Sequence, residues 1–228
     1  MEPIADNTLY DTPMDQAGQQ LELSNGQGMA LFTGRTGLDA FYKRRRALLR
    51  FDLSGIPPGA QILCGRLTLH QTKAAPGSPP AVTGLHRVLQ AWGEGNSNGI
   101  GPEGQGDFAQ AGDATWHHRI YATDLWDTAG GHFVESASAE TTVGRMLEPF
   151  AWSGPGLLTD IEFWLQNPGD NFGWILVGGE AAGLSAHRFA SRENPDGGLR
   201  PALSLVYRDE HTVFSSGFER LAACEPSD

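Results

Sequence analysis

The sequence predicts an all-β protein, a β-sandwich of jelly-roll type with one short helix. Three observations carry this. The clearest segment, Arg45 to Ser54, alternates with a period of two: Ala47, Leu49, Phe51 and Leu53 on one face, Arg46, Leu48, Arg50 and Asp52 on the other. Thirty glycines and 14 prolines in 228 residues cut the chain into short pieces, which suits strands and turns rather than a helix bundle. Only one stretch has a helical stripe, Leu158, Ile161, Trp164 and Leu165.

The elements follow in order. An N-terminal strand covers Asn7 to Tyr10, and short strands lie around Leu21–Leu23 and Met29–Phe32, with the Asn25-Gly26 turn signal between them. Arg45–Ser54 is followed by the turn Ile56-Pro57-Pro58-Gly59 and a strand from Gln61 to His70. Lys73 to Pro80 is too rich in proline for a sheet interior. Val82 to Trp92 is the next strand. Residues 93–113, with seven glycines, form a loop longer than the roughly 12–15 residues usual in compact domains, a length that points to function. A β-prone stretch from Glu135 to Val143 and a Pro- and Gly-rich link lead to the helix. There Thr159-Asp160-Ile161-Glu162 reads as a capping box, and Asn167-Pro168 is the stop. Phe172–Val177 reads as a strand buried on both faces, and His187–Ser191 and Ala202–Tyr207 are the last strands. Residues from Asp209 lose periodicity, so 1–208 is expected to be one domain and 209–228 a tail.

The formal charge of −11 argues against a general nucleic-acid binder, which needs a basic surface for phosphates. No run of about 18 apolar residues offers a membrane span. The basic residues are nevertheless clustered: Lys43, Arg44, Arg45, Arg46 and Arg50 lie within eight positions. Cys64 reads most simply as a small buried side chain in a strand; a disulfide to Cys224 would require the tail to fold back.

Several short motifs resemble the DNRLRE-type domain proteins. They are Asp6-Asn7-Thr8-Leu9-Tyr10, Arg46 to Asp52, Trp92-Gly93-Glu94-Gly95, Asp113-Ala114-Thr115-Trp116, Gly130-Gly131-His132-Phe133, Asn171-Phe172-Gly173-Trp174, Ser191-Arg192-Glu193-Asn194 and Arg200-Pro201. Their order and spacing cover nearly all of residues 6–207. The resemblance implies a secreted or cell-surface bacterial jelly roll without catalytic activity, some relatives of which resemble modules that bind acidic polysaccharides such as alginate. The opening Met-Glu-Pro-Ile carries no signal peptide, which reads either as a cytoplasmic protein or as an exported one whose signal has been removed; the resemblance implies the second. The sequence departs from the family pattern at His132 and at His117-His118.

Catalytic motifs find little support. Gly183-Leu184-Ser185-Ala186-His187 is not a nucleophile elbow, and no Gly-Lys-Ser/Thr follows the glycines. Asp160 and Glu162 are better explained as first-turn acids favoured by the helix dipole than as a glycosidase pair. His117, His118 and His132 lack the spacing of a structural zinc site. Calcium is the expected ion, held through Glu94, Asp107 and Asp113 of the Gly-rich loop, because hard cations take oxygen ligands; the competing reading is a solvated acidic loop.

For ligand binding, Trp116, Tyr121 and Trp126 are the candidate stacking platforms, while Trp164 and Trp174 belong to the core. Lys43, Arg44, Arg46 and Arg50 are the candidate cations, since arginine offers a planar fork for carboxylates. A solvated, charge-protected strand face is the alternative. The functional expectation is a polysaccharide-binding module, with anionic glycans as partner. The rival is a structural or adhesive surface module that binds proteins or its own copies.

Overall fold

The computed structural model describes residues 1–12, 14, 18, 20–37, 43–99 and 104–208. Among them are fourteen strands and one α-helix: β1 (Pro3–Tyr10), β2 (Leu23–Ser24), β3 (Ala30–Arg35), β4 (Arg44–Phe51), β5 (Gln61–Ala74), β6 (Ala81–Arg87), β7 (Asp107–Phe108), β8 (His118–Ile120), β9 (Asp124–Leu125), β10 (Ala139–Val143), β11 (Pro149–Ser153), α1 (Pro155–Gln166), β12 (Trp174–Val177), β13 (His187–Ala190) and β14 (Ala202–Arg208). The expected tail, 209–228, lies outside the described residues. No described helix is long and apolar enough to cross a membrane.

Ten strands form one antiparallel sheet that curls back on itself. Its path runs β10-β6-β12-β4-β3-β13-β5-β11, with β1 beside β4 and β14 beside β5. The halves meet where β4 begins, Gly34 and Arg35 pairing with Arg45 and Arg44. This is the all-β architecture of jelly-roll type that the strand pattern predicted.

The alternation in β4 explains its central place. Ala47, Leu49 and Phe51 face the main core between the two layers, with Leu67 and Leu69 of β5, Trp152 of β11, Trp174 and Leu176 of β12, and Phe189 of β13. Each such aliphatic or phenyl side chain contributes roughly 1.5–3 kcal/mol by leaving water. The other face of β4 is covered too. Leu48 and Ile175 pack under Val88, Trp92, Ala114, Trp116 and Trp126, a second core built by the long connection after β6. As predicted, β12 is buried on both faces.

The structure corrects the sequence in three places. The Pro- and Gly-rich link before the helix contains β11, whose Phe150 and Trp152 enter the main core while Pro149 stands at the strand's first position, where a missing N–H costs least. The helix starts a turn earlier than the capping box implied. Gly154, at φ 147°, turns the chain in, and Pro155 takes the first helical position that its fixed φ favours. The Thr159 hydroxyl bonds back to the Pro155 carbonyl at 3.0 Å instead of capping. Asp160 is therefore no first-turn acid: it is buried, accepts from Trp174 Nε1 at 2.8 Å and from Ser138 Oγ, and meets Arg87 Nε at 3.1 Å. Burial raises its pKa, against those three partners. Cys64 is half-buried and not a free thiol, rather than a small core side chain; Cys224 lies outside the described residues.

Candidate functional site

The structure brings the predicted basic and aromatic residues together, but as packing. Arg44 and Arg46 leave β4 on the same side, and their guanidinium carbons lie 4.6 and 4.8 Å from the centroid of Trp116. That ring is 3% exposed, and Trp126 is 5% exposed with its Nε1 donating to the Thr115 carbonyl at 3.0 Å. Neither offers a free face to a sugar. Arg46 is fully engaged: Nε and Nη2 hold Glu180 bidentately at 2.7 and 2.9 Å, and Nη1 donates to the Gly130 carbonyl at 2.8 Å. Arg44 Nε pairs with Asp11 at 2.9 Å, and Arg50 lies over Trp92 at 5.5 Å. Lys43 is half-buried, its backbone bonded to Thr36. Tyr121 is half-buried against His118. The histidines do not converge on a metal either. His117 Nδ1 meets Glu22 at 2.9 Å, with His118 Nδ1 3.8 Å from the same carboxylate, while His132 faces Asp127 at 3.4 Å.

The expected calcium ligands also separate. Asp113 is fully buried, and its carboxylate accepts the backbone N–H groups of Asn96 at 2.7 Å and Gln110 at 2.7 Å, as well as the Ser97 hydroxyl. It is the anchor that folds the Gly-rich loop, with its lone pairs already used. Gly95, at φ +74°, passes so close that a Cβ there would overlap Asp113 Oδ1, which is why this loop needs glycine at that point. Asp107 lies in the small β2–β7 sheet, where its side chain accepts from the adjacent Phe108 N–H at 2.8 Å. Glu94 belongs to a different group.

That group forms where three of the short motifs meet. Asn7 Nδ2 donates to the Glu94 carbonyl and to Ser24 Oγ, both at 2.9 Å, and Asn7 Oδ1 accepts from the Asn25 N–H at 3.0 Å. Beside it, Asp6 Oδ2 accepts the Arg192 N–H at 2.8 Å and the Asp6 N–H donates to Glu94 Oε1 at 2.8 Å. Arg192 grips Glu94 at 2.7 and 2.9 Å and reaches Glu193 Oε1 at 2.8 Å. Carboxylate oxygens of Asp6, Glu94 and Glu193 lie within 4.8 Å of one another. Asp6 is fully buried. Burial first, then Glu193 and Glu94, push its pKa well above the usual range, and burial with Glu94 raises Glu193. Asp6 Oδ1 and Glu193 Oε2 are buried without a hydrogen-bond partner.

A second feature escaped the sequence reading. On the outer face of the β3–β13–β5 layer lies a cavity of about 210 Å³, lined by Phe32, Arg45, Lys73, Ala186 and Arg188 among others, and by no carboxylate. Arg188 stands directly opposite Phe32 of β3 and Lys73 of β5. Lys73 reaches that face because the register of β5 slips between Arg188 and Phe189, a bulge that re-aims the residues beyond it. Arg45, the one arginine of the basic run with the opposite parity, comes in from β4. It stacks 4.7 Å from the Tyr10 ring, and its Nε is buried without a partner. Burial lowers its pKa, with Tyr10 and Asp11 acting against that. The signal was the parity of Arg45; Lys73 and Arg188 become legible only once the pairing of three strands is known.

Neither a family model nor a curated protein sequence matches this chain.

Proposed function

We propose that the chain is a non-catalytic, exported polysaccharide-binding module that takes anionic glycans, and that the acidic sugar is seated at Arg45, Lys73 and Arg188. The observation that carries this reading is the cavity itself: three cations and no carboxylate line it, on a chain with a net charge of −11. Cations gathered on an acidic protein concentrate an anionic ligand at one place and repel it elsewhere. Arg45 Nη1 is held by the Asp11 and Arg44 carbonyls and its Nε has no partner, so this side chain fixes positive charge at the cavity wall, while Lys73 and Arg188 supply the donors for a carboxylate. Phe32, itself buried with Tyr10 and Ala30, forms part of the apolar floor of the cavity. The volume, below the roughly 300 Å³ at which drug-sized sites begin, suits a single sugar unit of a longer chain. The motif resemblance to DNRLRE-type proteins supports the same class of ligand.

Native affinity gels containing alginate, polygalacturonate or a neutral β-glucan test this. The expected result is retention in the two uronate gels and none in the glucan, weakening as salt rises. Arg188→Ala and Lys73→Ala should each reduce retention at least about tenfold, the scale of one lost charge-assisted hydrogen bond. Arg44→Ala, on the other side of β4, should leave it unchanged. Equal mobility in all three gels rejects the proposal and favours the adhesive reading, which sedimentation would then detect as self-association.

A further inference from the structure

We propose that Asp6, Glu94 and Glu193 form a divalent-cation site for calcium, which locks the N-terminal strand to the turn after β13. The acidic cluster is not the whole case. Asp6 is fully buried on β1, where a carboxylate with an unmatched oxygen is expensive. Two oxygens of the group, Asp6 Oδ1 and Glu193 Oε2, are sealed from solvent with no N–H or hydroxyl donor, and the two carboxyl groups can satisfy each other only by sharing a proton. Native proteins keep such orphans rarely, and an ion that binds there is one of the standard reasons.

Charge points the same way. Three carboxylates face one guanidinium, so the group carries two uncompensated negative charges when ionised. Arg192 is already placed: it spans both oxygens of Glu94 and touches Glu193 Oε1, leaving the orphaned oxygens on Asp6 and Glu193 for another cation. A divalent ion brings the total to neutrality; a monovalent one does not.

The ligand chemistry selects the ion. All three donors are carboxylate oxygens, with no histidine or cysteine in the group, which excludes the preferences of zinc and copper. Calcium at bond lengths of 2.3–2.6 Å accepts opposed oxygens about 4.6–5.2 Å apart, whereas magnesium at 2.0–2.1 Å requires about 4.2 Å. One oxygen from each carboxylate lies within 4.8 Å of the others, a span that calcium bridges, and the comparison of calcium with magnesium in the titration below decides between the two ions.

The site is independent of the cationic cavity, so either proposal stands if the other fails. The test uses the whole chain, stripped with chelator and held at matched ionic strength. Calcium chloride should raise the melting temperature by several degrees and saturate; magnesium should do so less. Terbium(III), a calcium mimic, should show luminescence sensitised by Trp92, two residues from Glu94, that calcium displaces. Glu193→Gln keeps the shape of the side chain and should weaken calcium at least tenfold. If that variant fails to fold, Asp6→Asn provides the same comparison, and the terbium displacement is read on the unmodified chain. Calcium that leaves melting unchanged up to about 10 mM, above the range of the weakest extracellular calcium modules, overturns the proposal. So does terbium binding of equal strength in the variant, since the ion would then sit elsewhere. A proton shared by Asp6 and Glu193 would account for the first of those results.

Discussion

Asn7 Nδ2 donates to the carbonyl oxygen of Glu94 at 2.9 Å, joining the first strand to a loop 87 residues away. The same side chain accepts from the Asn25 N–H, so one buried amide holds three chain segments. Asn7→Ala would strand the Asn25 N–H and the Glu94 carbonyl away from water. At about 1–3 kcal/mol for each orphaned group, the expected loss is on the order of 3 kcal/mol, or roughly 6–12 °C for a domain of this size. Thermal denaturation followed by circular dichroism checks it. Asn7→Asp should be nearly as harmful, because it removes the donor and adds a buried charge.

The two arginines that stack on Trp116 should behave differently. Arg46 and Glu180 are nearly buried, with side chains 11% and 17% exposed, whereas the Arg44 side chain is 40% exposed. Arg46→Ala leaves Glu180 as an unpaired charge in a place that water barely reaches. Its expected cost is about 3–5 kcal/mol, against about 0–1 kcal/mol for Arg44→Ala. Urea unfolding of both variants gives the comparison, and equal losses would mean that stacking on Trp116, common to both, outweighs the ion pair.

His187 supplies a pH dependence. Its ring is buried, neither nitrogen has a hydrogen-bond partner, and burial lowers its pKa from the ordinary value near 6.5. As the pH falls through about 6.5, the unfolded chain takes up the proton before the folded one does, so stability declines below that point. The decline continues until the folded imidazole itself titrates. Melting temperatures between pH 8 and 5 should show it, and His187→Leu should flatten that part of the curve.

Much of the fold is legible in the sequence because strand faces announce themselves. The alternation from Ala47 to Leu53 placed one face of β4 in the main core, and the continuous apolar run of Trp174 to Val177 marked a strand covered on both sides. β11 is less legible, since Pro149 and Gly154 at its ends look like loop while Phe150 and Trp152 between them are core. The sites are harder. The run Lys43–Arg50 announces charge, but not that its even-numbered members Arg44, Arg46 and Arg50 lie against Trp116 and Trp92. Asp6, Glu94 and Glu193 belong to three segments that only the closed fold brings together, so no local spacing reveals them. Of the proposed calcium ligands, the sequence points to Glu94 alone; Asp107 and Asp113 share its loop but not its site.

The segment that covers the outer side of β4 carries an engineering lesson. The connection after β6 serves as a wall of the molecule, with Trp92, Trp116 and Trp126 as its bricks and buried Asp113 tying down the Gly-rich loop between the first two. Cargo inserted between Gly93 and Asp113 should therefore loosen the whole protein and admit protease. The exposed Pro76-Gly77 turn, where a side chain added to Gly77 meets open space, is the better place to splice a tag or a second module.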